Sequence, residues 1–292
     1  MAEIVISNSC ITLTVDALGA QMLSLKGKDG VEYLWQGDAK YWQDRSPNLF
    51  PIVGRMVDDR CTCYGTPCTL TLHGFAQEKE FCVTEVSDTF VTLELHSDAE
   101  TKAKYPFDFI FRITYALQED SVQICFAVQN LDERTMPFGI GAHPGFNVPL
   151  VNGECFEDYK LEFLKPCQPD IIGFTEQGFS NGQDVLYPLK EGKYIPLQHS
   201  LFDDDGIMLK HMSREILMRS DVSGRGVKVS FPGMPYVVFW HAPKTDAPYV
   251  CIEPWSSLPA RQNVIEELTC KSDMIQLPAG DAYSTDWSIT VF

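Results

Sequence analysis

Basic residues are scarce in this sequence. Lys and Arg total 23 against 40 Asp and Glu in 292 residues, a formal net charge of −17. Such a field repels phosphate backbones and anionic lipid headgroups, so neither nucleic acid nor a membrane is expected as a partner. No window approaches the ~18 consecutive apolar residues of a spanning helix. Met1-Ala2-Glu3 opens on an acid rather than on a basic leader, and the expected location is cytoplasmic. No Asn-x-Ser/Thr acceptor occurs, and the 10 cysteines lie in a chain too large to need disulfide staples. They read as reduced thiols, with Cys82, Cys125 and Cys251 expected in the core because each lies in an apolar run.

Helical periodicity, low-complexity linkers and internal repeats are also scarce. One two-turn helix is expected at 98–105, with Asp98 near its cap and Pro106 as its stop, and one short turn near Ile265–Leu268. Propellers and solenoids are disfavoured by the missing repeat. What fills the chain is period-two alternation and runs of β-branched and aromatic residues. They lie at Ile11–Val15, Phe81–Val86, Phe90–Leu95, Phe109–Leu117, Val122–Val128, Ile216–Arg219, Val227–Phe231, Val237–Trp240, Tyr249–Ile252 and Trp287–Phe292. Turn chemistry separates them, as at Lys28-Asp29-Gly30 and Gln118-Glu119-Asp120. The expected fold is all-β, a large antiparallel β-sandwich forming a single domain over 1–292.

Several functional motifs are absent: Walker A, Gly-x-Gly-x-x-Gly and His-Glu-x-x-His. Gly178-Phe179-Ser180-Asn181-Gly182 has the spacing of a nucleophile elbow, but Thr175-Glu176-Gln177 before it is no buried strand and Gln183-Asp184 after it opens no helix. Cys61, Cys63 and Cys68 lack the paired spacing of a structural zinc site. No metal or other cofactor is expected.

The remaining candidates are ionisable residues set among Gly, Pro and aromatics. Glu253 ends the apolar run Tyr249–Ile252 and precedes Pro254, so a carboxylate is held where a buried strand is expected to give way to a loop. Apolar neighbours raise a carboxyl pKa, which suits proton transfer near neutral pH; the plainer reading is an edge glutamate paired with an arginine. His143 lies between Gly141-Ala142 and Pro144-Gly145, where small residues allow close approach; its plainer reading is an imidazole satisfied by loop carbonyls. Arg55 follows Pro51-Ile52-Val53-Gly54, a setting that suits either a planar donor fork aimed at oxygens or a surface arginine with a buried stem. His73 in Leu-His-Gly-Phe and the acidic turn Asp203-Asp204-Asp205 complete the set, while His96, His199, His211 and His241 read as structural or surface residues. Together with Phe146 and Trp255 as aromatic platforms, these groups suit a neutral, polyhydroxylated ligand.

Four stretches carry a more specific resemblance: Asn48-Leu49-Phe50-Pro51-Ile52-Val53-Gly54-Arg55, His73-Gly74-Phe75-Ala76, Gly141-Ala142-His143-Pro144-Gly145-Phe146 and Cys251-Ile252-Glu253-Pro254-Trp255. In these the sequence is similar to the aldose 1-epimerases, the galactose mutarotase-like proteins, and within them to the LacX-type branch. The resemblance implies a β-supersandwich with a sugar in an open cleft on one sheet. It implies His143 as general acid, Glu253 as general base, and Arg55 and His73 as residues that hold the sugar near its ring oxygen. A ligand-binding aspartate falls in the acidic turn, at Asp205 by count from Leu201-Phe202, with Asp204 as the alternative.

Anomer exchange requires removal of a proton from the C1 hydroxyl and delivery of one to the ring oxygen, with base and acid expected on opposite sides of C1. The expected partner is a small sugar such as galactose or glucose, acted on by a monomer or homodimer. Three rivals are open: a hexose-6-phosphate mutarotase, which needs a basic cluster for phosphate; a non-catalytic carbohydrate-binding or sensing protein of the same fold; and a glycoside hydrolase using Glu253 with one aspartate of 203–205.

Overall fold

The computed structural model describes residues 3–292. Two large antiparallel sheets form the body. The first has 9 strands in the order Tyr194–Pro196, Tyr159–Phe163, Glu215–Ser220, Gly226–Ser230, Ala282–Val291, Ser121–Asn130, Phe109–Gln118, Phe90–His96 and Cys82–Val86. The second has 8, seven of them in the order Val185–Leu186, Asp170–Ile171, Ile207–Lys210, Tyr236–Trp240, Tyr249–Trp255, Gly141–Ala142 and Asn48–Leu49, and the eighth, Gly145–Asn147, paired to Tyr249–Trp255 off that path. Glu3–Ser7, Ile11–Asp16 and Met22–Gly27 make a 3-stranded sheet. Among the described residues no helix is long and apolar enough to cross a membrane.

Alternation along the strands builds the core. On Ser121–Asn130, Val122, Ile124, Phe126 and Val128 turn inward. Val237 and Phe239 of Tyr236–Trp240, and Val250 and Ile252 of Tyr249–Trp255, face the same core from the other sheet, and Phe163 meets Phe239 across it with ring centroids 6.2 Å apart. The expected sandwich is therefore the one observed, and every expected strand is present, most of them longer by one to three residues; the last begins at Ala282, five residues early, while Phe81, Phe231 and Phe292 fall just outside their strands. The helix is there as well: Ala99–Lys104 starts at a capping box in which the Thr101 amide donates to Asp98 and the Asp98 amide donates to the Thr101 hydroxyl.

Three local expectations are corrected. Cys82 is exposed, because Phe81 takes the inward position and Cys82–Val86 is an edge strand exposed along its length. Cys125 falls on the outward phase between Ile124 and Phe126 and is only half-buried. Residues 266–267 form not a turn but a short strand parallel to Arg60–Cys63.

Candidate active site

The second sheet turns its other face to an open cavity of about 400 Å³. Its floor is a grid written by strand register. Val238 is opposite Glu253 and Met208 opposite Val238, so Met208, Val238 and Glu253 form one row across three strands, and all three line the cavity. On the far side of Tyr249–Trp255, Gly141 pairs with Trp255 and Gly145 with Cys251. The same register carried between these pairs puts His143 opposite Glu253. The ladder is interrupted there, at His143-Pro144. Contrary to the sequence expectation, the strand does not stop at Glu253. It runs on through Pro254 to Trp255, and the gap in the ladder is where a proline is tolerated.

The two groups end close together: His143 Nε2 lies 3.3 Å from Glu253 Oε2. They stand side by side at the floor of the cavity. Gly141 and Gly145 flank His143 without side chains, and a Cβ on Gly145 would stand 3.1 Å from Trp35 and Trp42. That space lets the Trp42 ring lie on the His143 imidazole, centroids 4.8 Å apart. Trp240 meets the same imidazole edge-on at 5.6 Å and His73 at 5.5 Å.

Burial sets the proton affinities. The Glu253 carboxyl is pushed well above its ordinary range, first by burial and then by the nearby Asp205 charge. Burial also pulls His143 down to about 3, so its imidazole is neutral at neutral pH. Glu253 Oε2 and His143 Nδ1 are buried with no hydrogen-bond partner in the protein, leaving both free for a ligand.

Arg55 and His73 are held by one reciprocal clamp. The His73 amide donates to the Gly54 carbonyl at 2.7 Å, and the Gly54 amide donates to His73 Nδ1 at 3.1 Å. Because Nδ1 accepts, the neutral ring carries its proton on Nε2. Burial keeps that ring neutral, helped by His143 and Arg55. Gly54 has φ +67°, and a Cβ there would overlap Pro259. Among the described residues the Arg55 guanidinium has no ion-pair partner, so its donor fork faces the cavity.

Of the seven residues singled out in the sequence, six line this cavity: Arg55, His73, His143, Asp205, Glu253 and Trp255. Asp204 lines it as well, while Asp205 is the one that accepts from the Trp240 indole, at 2.9 Å. Phe146 is corrected. It is fully buried in the core, because Gly145 holds the cleft-facing phase of that strand and alternation sends Phe146 to the opposite face. The aromatic walls are Trp42 and Trp240, which sequence reasoning missed. The strand reading at Val237–Trp240 contained the signal, since Val238 and Trp240 share a phase, but nothing in the sequence says which phase meets the cleft. Trp42 sits in Tyr41-Trp42-Gln43-Asp44 with no period to read. Phe174, Thr175 and Gly178 come from the segment with elbow spacing, which forms a wall with Gly178 against Arg55; its Ser180 donates its amide to the Ala260 carbonyl and is not among the lining residues.

Residues 2–287 match the family model described as aldose 1-epimerase. The chain is 36% identical over 297 residues to the chromosomal protein LacX of Lactococcus lactis subsp. lactis, covering 98% of each. Among solved structures, a galactose mutarotase related enzyme from Lactobacillus acidophilus superposes with TM-score 0.95 at 32% identity, covering 100% of this chain and 97% of that one. A galactose mutarotase-like protein from Lactobacillus casei does so with TM-score 0.93 at 29% identity, covering 100% of both.

Proposed function

Because the chain belongs to the aldose 1-epimerase family, we propose that it interconverts the α and β anomers of an uncharged aldose, with Glu253 and His143 as the proton-transfer pair. The observation that carries this reading is the buried 3.3 Å approach of His143 Nε2 to Glu253 Oε2 at the floor of the cavity. The two oxygens whose protons must be exchanged are both bonded to C1, so an acid and a base standing side by side can reach both at once.

The pair shares one proton. In the empty site burial favours the uncharged arrangement, a protonated carboxyl beside a neutral imidazole. Transfer of that proton from carboxyl to imidazole gives a carboxylate and an imidazolium, and this form takes the C1 hydroxyl proton at Glu253 while His143 donates to the ring oxygen. The ring opens, rotation about C1–C2 presents the other carbonyl face, and the same steps in reverse close it. The Arg55 fork and the Nε2–H of His73 supply donors to the sugar oxygens, and the Asp205 carboxylate accepts from hydroxyls. Trp42 and Trp240 cover apolar sugar faces.

The lining favours a neutral sugar over its phosphate ester. Asp44, Asp204 and Asp205 face the cavity, against the guanidinium of Arg55. Saturation-transfer NMR on freshly dissolved aldoses and their 6-phosphates tests the reading. Faster exchange for one or more free aldoses is expected. Acceleration of 6-phosphates alone would overturn the substrate class. Binding without any acceleration would make the protein a carbohydrate-binding module.

A further inference from the structure

Cys251 is used by none of the proposed chemistry, yet it lies directly beneath it. It is two residues from Glu253 on the same face of Tyr249–Trp255 and opposite Gly145, which has no side chain to cover it. One ligand atom each from His143, Cys251 and Glu253 lies within 4.8 Å of the other two, and all three residues are buried. Within this cluster Glu253 Oε2 and His143 Nδ1 are buried without hydrogen-bond partners. We propose that His143, Cys251 and Glu253 form a binding site for a thiophilic divalent cation of the Zn²⁺ class, and that the bound ion turns the proton-transfer pair off.

The donor set chooses the ion. Sulfur, imidazole nitrogen and carboxylate oxygen suit Zn²⁺ and disfavour Mg²⁺ and Ca²⁺, which take oxygen ligands. Ligands about 2.0–2.3 Å from a tetrahedral zinc stand roughly 3.5 Å apart, so the cluster needs only small side-chain rotations to close on an ion. Charge balances in place: a +2 ion meets one thiolate, one carboxylate and one neutral imidazole. Thiol and carboxyl each release a proton to solvent as their metal bonds form, and no atom changes oxidation state. The ion then occupies the lone pairs that proton transfer needs. The site itself does not depend on the mutarotase reading, whereas its inhibitory effect does.

Cobalt(II) reports the site directly. Added to the full chain, one equivalent of Co²⁺ is expected to give a near-ultraviolet thiolate charge-transfer band and the strong visible bands of four-coordinate cobalt, both displaced by Zn²⁺ and erased by EDTA. Cys251→Ser, checked by thermal melting and repeated as Cys251→Ala, should lose the charge-transfer band. Either variant should keep anomer exchange in EDTA while needing at least 10-fold more Zn²⁺ for half-inhibition. No band in the parent chain, or a band that survives in both folded variants, overturns the site. A band accompanied by full anomer exchange at saturating Zn²⁺ overturns the inhibitory role alone.

Discussion

His143 Nε2 lies 3.3 Å from Glu253 Oε2, midway between the cross-strand pairs Gly141–Trp255 and Gly145–Cys251. The proposed acid/base pair thus sits where the ladder opens, with Glu253 inside Tyr249–Trp255 and His143 at the break between Gly141–Ala142 and Gly145–Asn147. Strands position such groups more rigidly than loops do. The expectations below depend on that arrangement.

Glu253→Gln keeps the shape and removes the titration. Anomer exchange should fall about a thousandfold, while sugar binding followed by intrinsic fluorescence stays within a few-fold of the parent. A drop of less than tenfold would remove Glu253 from the chemistry. The same variant should melt several degrees higher at pH 7. A carboxyl whose folded pKa is raised favours the native state below its ordinary pKa, and that advantage is lost as pH rises toward the folded value. The gain in melting temperature should therefore shrink at pH 4, where the carboxyl is protonated in folded and unfolded chains alike.

The pH–rate profile should be a plateau bounded by the two ends of the one-proton pair. Activity is lost on the acid side only when the imidazole takes a second proton, near pH 3, far below the ordinary histidine value. On the alkaline side it falls as Glu253 gives up the shared proton and leaves no acid. Because the Asp205 charge helps hold the Glu253 carboxyl up, Asp205→Asn should move the alkaline limb to lower pH. It also weakens the hold on the Trp240 indole, so KM should rise. An alkaline limb unmoved in Asp205→Asn would separate Asp205 from the pair.

Arg55→Ala should raise KM at least tenfold and lower kcat, with the midpoint of urea unfolding almost unchanged. The guanidinium has no ion-pair partner to lose among the described residues, and substitutions away from such partners usually change stability by less than about 0.5 kcal/mol. A large loss of stability would make it a structural arginine.

Gly54→Ala should lower stability as well as sugar binding. The φ of +67° and the overlap with Pro259 make any Cβ costly, by about 1–3 kcal/mol, which would lower the melting temperature by several degrees. The clamp between Gly54 and His73 would open with it, weakening sugar binding. A variant with parent stability and affinity would show that the clamp positions nothing.

Much of the site was readable because its residues carry local signatures: Gly54 before Arg55, His73 before a glycine with φ +75°, His143 between glycines, Glu253 before a proline. Phe146 misled because an aromatic beside a candidate histidine reads as a platform, while the strand phase sends it into the core. Trp240 was hidden in a strand whose inner and outer phases are both apolar. The acidic turn pointed to Asp205 by count with Asp204 as the alternative; both line the cavity, and Asp205 is the one that accepts from the Trp240 indole.

The sequence by itself determined the all-β class, the helix at Ala99–Lys104, the turn positions and the residue types at the cleft, since alternation, capping and positive-φ glycines act over a few neighbours. Only the tertiary structure decided that His143 and Glu253 meet at 3.3 Å, that Trp42 and Trp240 wall the cavity, and that Cys251 lies beneath the pair. Period two tells which residues share a face, but which strands become neighbours, in what register and with which face toward the cavity depends on pairings between segments more than a hundred residues apart, which no local pattern encodes.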